Sequence, residues 1–441
     1  MREFHLSLYF EHLEEASFLY EQRQALLRDP VFPWTQLQKF EARLEAHLDA
    51  LVIGGALAQE ACAVRMREGD AGELFASLSV FCRQRQIGML GELLRTLDFK
   101  SAAKVRAATD ALKFEMPQDW NDSCERALAR SESQWFMLLA EVCGYRRLPV
   151  GELLAAALQS QQQPASLPVI EALARLQPSR QSTSALEMCT QETADEIKAA
   201  AILALLRQGR RNALRPCYLR AQNEDWPQLV LALGGERSAV AALLQRLDSH
   251  AATGVTLLAL GLLGDLTTVR LLCRCLEDES LAASAATALQ LITGAALYED
   301  KFVPDEVDPA EMFESELEAW RQNGQSPQRA DGRPFGAVVR QLSRSVSVWE
   351  EWLARNAARF APGLRYRLGQ PYSPHALLHS MLDESTSNEL RKLANDELVI
   401  RYGCPVAFES DWLVTDQLQA LRNISEWVAA NAAHFTPGAW S

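Results

Sequence analysis

The chain has 441 residues, 48% of them hydrophobic and 23% charged, with a formal net charge of −13. That length holds several ordinary domains or one extended stack, and the acidic balance excludes nonspecific affinity for nucleic-acid phosphates. Nine scattered cysteines, an odd number with no CxxC pair, exclude a secreted disulfide scaffold and fit a reducing compartment.

The N-terminus mixes Arg2, Glu3 and His5 among its apolar residues and lacks the uninterrupted core of a signal peptide. The longest apolar run, residues 255–264, is about half the length of a membrane span. A cytoplasmic protein with no membrane contact is expected. Residues 11–27 carry apolar positions at helical spacing until Pro30 and Pro33 break it. A second helix is expected over residues 35–51, with Thr35 as N-cap and Leu37, Phe40, Leu44, Leu48 and Leu51 on one face. Gly54 and Gly55 mark its stop. Further helices complete an N-terminal helical region, residues 1–112.

Residues 113–298 repeat a spacing. Apolar residues follow an anchor glycine at five, eight, nine and twelve places: Gly209 with Leu214, Cys217, Tyr218 and Ala221; Gly235 with Val240, Leu243, Leu244 and Leu247; Gly264 with Val269, Leu272, Cys273 and Leu276. Gly144 begins a looser copy through Val150, Leu153, Leu154 and Ala157, and Gly294 closes the series. A fixed period in this range marks stacked repeats. Each unit reads as a helical hairpin whose first helix ends on the glycine in the left-handed conformation. The acid that follows, Asp265 or Glu236, suits the positive end of the next helix. The fold class expected is all-α, a HEAT-like helical-hairpin solenoid with an N-terminal helical region and a C-terminal helical cap.

Residues 299–334 break the rhythm and read as an acidic insertion followed by a flexible loop. Residues 299–318 hold nine acids and one base, a formal −8, which leaves only −5 for the rest of the chain. The acids Asp305, Glu306, Asp308, Glu311, Glu314, Glu316 and Glu318 are interleaved with aromatics including Phe313 and Trp320. Carboxylates speed encounter with a basic surface and aromatics supply affinity, so these residues are the candidate partner-binding site. A basic protein whose nucleic-acid groove the carboxylates occupy is one such partner. A solvated loop that interrupts the repeat is the plainer alternative.

The last region, residues 335–441, contains a duplication. Residues 351–363 recur as residues 426–438 with nine of thirteen positions identical, including Trp352 and Trp427, Asn356 and Asn431, Phe360 and Phe435. Two equivalent helices, each ended by Pro-Gly, are expected.

Catalytic constellations are missing. The chain has no Walker A loop, GxGxxG, GxSxG or HExxH. His375 and His379 are one turn apart on an expected helix, but no third ligand stands at useful spacing. Cys273 and Cys275 point to opposite sides of their helix. No catalytic residue, metal or cofactor is assigned, and binding rather than turnover is expected.

The repeats, the run over residues 14–20 and 44–51, and the tail over residues 359–366 before Gly369 and Pro371 together resemble a known group. They resemble the HEAT-like-repeat proteins encoded in bacterial type VI secretion gene clusters. The resemblance covers almost the full length and its motifs are structural. It implies a bacterial protein working beside a secreted toxin, either as an immunity protein that occludes a cognate effector, a nuclease for instance, or as an adaptor that loads an effector onto the secretion apparatus.

Overall fold

The computed structural model describes residues 2–440 apart from 132, 161–165, 250, 306–311, 313, 325–327 and 329–331. Among the described residues it is built from twenty-three α-helices and two small two-stranded sheets. The N-terminal region holds α1 (Arg2–Leu26), α2 (Leu37–Ile53), α3 (Gly55–Glu68), α4 (Ala71–Arg83), α5 (Ile87–Leu94) and α6 (Ala102–Glu115). Thr35 sits in a 3-10 turn, Trp34–Gln36, so Gln36 is the N-cap and α2 begins one residue later than a Thr35 cap would place it. Pro33 fixes that turn's entry, and the turn lets Trp34 and Leu37 bury together. Asp70 caps α4 by accepting from the Glu73 amide, and the Glu73 carboxylate accepts from the Asp70 amide in return.

The middle of the chain continues with α7 (Asn121–Arg130), α8 (Ser133–Tyr145), α9 (Gly151–Gln159), α10 (Leu167–Arg175), α11 (Arg180–Cys189) and α12 (Asp195–Arg207). It is completed by α13 (Arg215–Arg220), α14 (Trp226–Gly234), α15 (Arg237–Asp248), α16 (Gly254–Leu263), α17 (Val269–Cys275) and α18 (Ala282–Thr293). The even-numbered helices from α4 to α18 form one unbroken layer, each packed on the next. The odd-numbered helices α7 to α17 pair with them as a second layer, α9 directly on α11. This is a solenoid of helical hairpins, and its apolar stripes do what their spacing requires: Leu243, Leu272, Leu257 and Leu260 are fully buried. Truncating one such leucine to alanine costs about 2–5 kcal/mol.

The anchor glycines divide into two kinds. Gly209, Gly264 and Gly294 take positive φ (77°, 72° and 60°), and Gly264 and Gly294 are the C-caps of α16 and α18. Gly235 is extended, with φ −78°, and Gly144 lies inside α8. A Cβ on Gly144 would stand 2.4 Å from the Cα of Ala172 on α10. That glycine serves a tight helix crossing, not a chain reversal.

After α18 come β1 (Tyr298–Pro304), α19 (Glu314–Asn323), β2 (Gly336–Leu342), α20 (Val346–Asn356), β3 (Tyr366–Arg367), β4 (Gln370–Pro371), α21 (Pro374–Leu382), α22 (Asn388–Tyr402) and α23 (Val414–Asn431). The acidic insertion is therefore bracketed by paired strands, and the region expected to be wholly helical begins with one of them. The two duplicated segments share one local form. Each helix passes into a 3-10 turn, Ala357–Arg359 or Ala432–His434, and Asn356 or Asn431 donates 2.8 Å back to the carbonyl of its tryptophan.

From β3 to the start of α23 the chain runs back along the carbonyl ends of the solenoid helices. The Tyr366 amide donates to the Gly264 carbonyl, and Leu368 and Gly369 donate to Leu291 and Ile292 at the end of α18. Arg365 and Arg367 reach the Leu263 and Leu262 carbonyls of α16, and Arg401 reaches Ala232 in the last turn of α14 and Gly235 just past it. Helix C-termini leave carbonyls unpaired and carry partial negative charge, so arginines are suited to cap them. Further back, Glu409 accepts from Arg147 and Arg175, and Asp411 accepts from Tyr145. The path closes on the first helices. Buried Arg23 and Glu41 pair at 2.9 Å, Arg23 donates to the Asp411 carbonyl, and Glu41 accepts from the Val414 amide. Arg391 lies 3.7 Å above the Trp34 ring, in a core shared with Leu377, Leu398 and Leu421. The two ends of the chain are thus fastened together through one buried cluster.

Candidate functional site

Tyr298–Pro304 and Gly336–Leu342 pair antiparallel, Tyr298 opposite Leu342 and Pro304 opposite Gly336. The strands form an arm with a fixed root. The Ser343 amide donates 2.7 Å to the Leu297 carbonyl, and fully buried Trp349 donates from Nε1 to the Ser343 carbonyl at 2.7 Å. Beyond the root almost every side chain of β1 is exposed. Val338 is 66% exposed and pairs across from exposed Phe302, and Val303 and Phe335 (45%) are exposed as well. Glu299 and Asp300 add carboxylates along the same strand, and Asp305 adds one just past its end. Apolar side chains on an otherwise solvated two-stranded ribbon leave it marginal without further cover.

Of the residues expected to bind a partner, Asp305 lies just past the end of β1, where its amide donates 3.0 Å to the Phe335 carbonyl. Glu314, Glu316, Glu318 and Trp320 lie on α19, with Glu314 and Glu318 exposed and Glu316 and Trp320 half-buried. Glu306, Asp308, Glu311 and Phe313 lie outside the described residues. The arm thus carries Asp305 and the α19 acids as one excursion from the solenoid. Its second strand, with Val338 and Arg340, was missed from sequence because a loop reading fits its Pro-, Gly- and Gln-rich approach. The adjacent valines Val338 and Val339 were the available signal.

A cavity of about 540 Å³ opens at the arm's root. Leu258, Ala286 and Leu291 of the solenoid line it with Leu342 of β2, Leu390 of α22 and Val31 from the turn before α2. Arg340, which covers the Tyr298 ring at 4.6 Å, and Arg344 bring positive charge to its lining, while Glu384 and Glu389 bring negative. No family model, curated protein or solved structure matches this chain. The paired histidines and Cys273 belong to other elements than the arm. His375 and His379 are exposed on α21, whose first turn is capped by Ser373 with Pro374 following. Among the described residues no group of three or more His, Cys, Asp or Glu could hold a metal. Cys273 is buried in the solenoid core. Among the described residues no helix is long and apolar enough to cross a membrane.

Proposed function

We propose that this chain is a binding protein whose acidic arm docks a basic protein partner, and that it acts as an immunity protein that occludes a toxin effector. The observation that carries the reading is the arm itself: nine acids and one base in residues 299–318, beside exposed Phe302, Val303, Phe335 and Val338. Charge complementarity of this kind accelerates encounter, and desolvated aromatic and aliphatic anchors supply residence time. The resemblance to HEAT-like proteins of type VI secretion clusters supplies the setting: the cytoplasm of the producing bacterium, with an effector, a nuclease for instance, as the partner. Occlusion needs no catalytic group, cofactor, nucleic-acid contact or membrane contact on this chain.

The test is capture of the partner from the source cell with the full-length protein, followed by assay of the purified pair. Stoichiometric loss of the partner's activity is the expected result. A partner that stays fully active in the complex overturns occlusion and assigns the chain to effector loading.

A further inference from the structure

Three arginines converge on one tyrosine where the returning chain meets the solenoid. The Cζ of Arg365 lies 3.7 Å from the Tyr372 ring centroid, and those of Arg367 and Arg401 lie 5.8 Å away. Arg365 and Arg367 are fully buried and Arg401 is 7% exposed. Burial, and then the charge of Arg401, lower the Arg365 pKa to about 10, which still leaves it charged at neutral pH. Glu397 is the carboxylate paired with the group. It is itself fully buried, and it accepts at 2.6 Å from both Arg367 and Tyr372 while standing 3.9 Å from Arg401 Nε.

The remaining negative charge comes from the ends of α14 and α16, whose carbonyls these arginines cap. Each helix C-terminus is equivalent to roughly half an elementary charge. Three guanidinium ions against one carboxylate and two such ends leave about one positive charge unbalanced. The donors are also in excess. Arg365 Nη2, Arg367 Nε, Arg367 Nη1 and Arg401 Nε are buried with no hydrogen-bond acceptor. Buried N–H groups of charged side chains are costly to leave unpaired, and an anion is a common partner for such a set.

We propose that a small monovalent anion, chloride in the cell, is held among Arg365, Arg367 and Arg401 beside Tyr372, as a resident part of the fold. One negative charge matches the charge left unbalanced, and a spherical acceptor imposes no fixed direction on the buried donors it accepts from. The same arginines fasten the returning chain to α14 and α16, so anion binding and that docking reinforce each other. The inference is independent of the arm and of any partner.

The experiment compares thermal unfolding of the full-length protein in chloride and in gluconate at matched ionic strength, gluconate being a far bulkier anion than chloride. In chloride, Tm is expected to rise with the logarithm of concentration by on the order of 1–2 °C per tenfold. Bromide is expected to reproduce the rise, and crystals grown in bromide to show an anomalous peak in hydrogen-bond contact with Arg365 and Arg367. Arg365→Met is expected to abolish the chloride dependence. Should that variant fail to fold, the wild-type comparison and the anomalous map decide. Equal melting in chloride and gluconate, or water at the position in the bromide crystals, overturns the proposal.

Discussion

Gly264 lies against the backbone of Tyr366: a Cβ placed on the glycine would stand 2.2 Å from the Tyr366 carbonyl oxygen. Gly264 also holds φ at 72°. Gly264→Ala therefore combines the cost of a left-handed alanine, about 1–2 kcal/mol, with displacement of the returning strand, for a total of roughly 3–4 kcal/mol. Gly209 has a similar φ of 77° but nothing within 4 Å of its added Cβ. Gly209→Ala is expected to cost only the conformational share. Urea denaturation of both variants measures the difference, and equal losses would show that Tyr366 yields without cost.

Glu409 fastens the loop before α23 to the turn after α8 and to α10 through Arg147 at 2.9 Å and Arg175 at 3.0 Å, with 12% of its side chain exposed. Glu409→Ala leaves two half-buried guanidinium groups unpaired and is expected to cost about 3–5 kcal/mol. Burial raises the carboxyl's pKa, but Arg175 and Arg147 outweigh that and hold it below its ordinary 4.5. The folded state thus binds the proton less readily than the unfolded chain. The stabilisation is complete above pH about 4.5 and is lost as pH falls through the folded value. In a stability–pH series, Glu409→Gln should flatten the acid limb relative to wild type.

His12 on α1 and His47 on α2 face each other with their Nδ1 atoms 3.0 Å apart. Burial, followed by the charge of His12, lowers the His47 pKa from 6.5, with Glu15 opposing and Arg43 assisting. Protonation is therefore easier in the unfolded chain. The α1–α2 contact keeps its full stability above pH about 6.5 and weakens as pH falls toward the lower folded value. His47→Gln should remove that step from a plot of Tm against pH between about 5 and 7.5. A step that persists would assign it to other groups.

On the arm, the triple substitution Asp305→Lys, Glu314→Lys and Glu318→Lys reverses three exposed charges. Partner association is expected to slow by about tenfold or more and to lose most of its salt dependence. Tm of the free protein should stay within about 1 °C, because none of the three is buried. Binding kinetics at low and high salt give the answer. Unchanged association removes the arm from the interface.

Much of the solenoid was legible in the chain because its signals are local. Cys217, Leu243 and Leu272 each stand eight residues after their glycines, and one hairpin's stripe can be read without knowing its neighbour. The arm was half legible. Its charge excess lies in consecutive residues, but the pairing of Phe302 with Val338 joins positions 36 apart through backbone hydrogen bonds that leave no periodicity. Gly144 was misassigned for a related reason. A glycine needed for a left-handed turn and one needed for a close helix crossing look alike until the crossing partner, Ala172, is in place.

By itself, then, the sequence determined the helical character of the solenoid, its apolar faces and where the charge collects, since each follows from neighbours within a turn or two. Only the tertiary structure decided that the last hundred residues lie back along the stack and join its beginning. That choice depends on Arg365, Arg367 and Arg401 meeting helix ends that are more than 100 positions distant in the chain. Carbonyls at a helix terminus attract any arginine that can reach them, so which ones do is settled by packing and not by residue type.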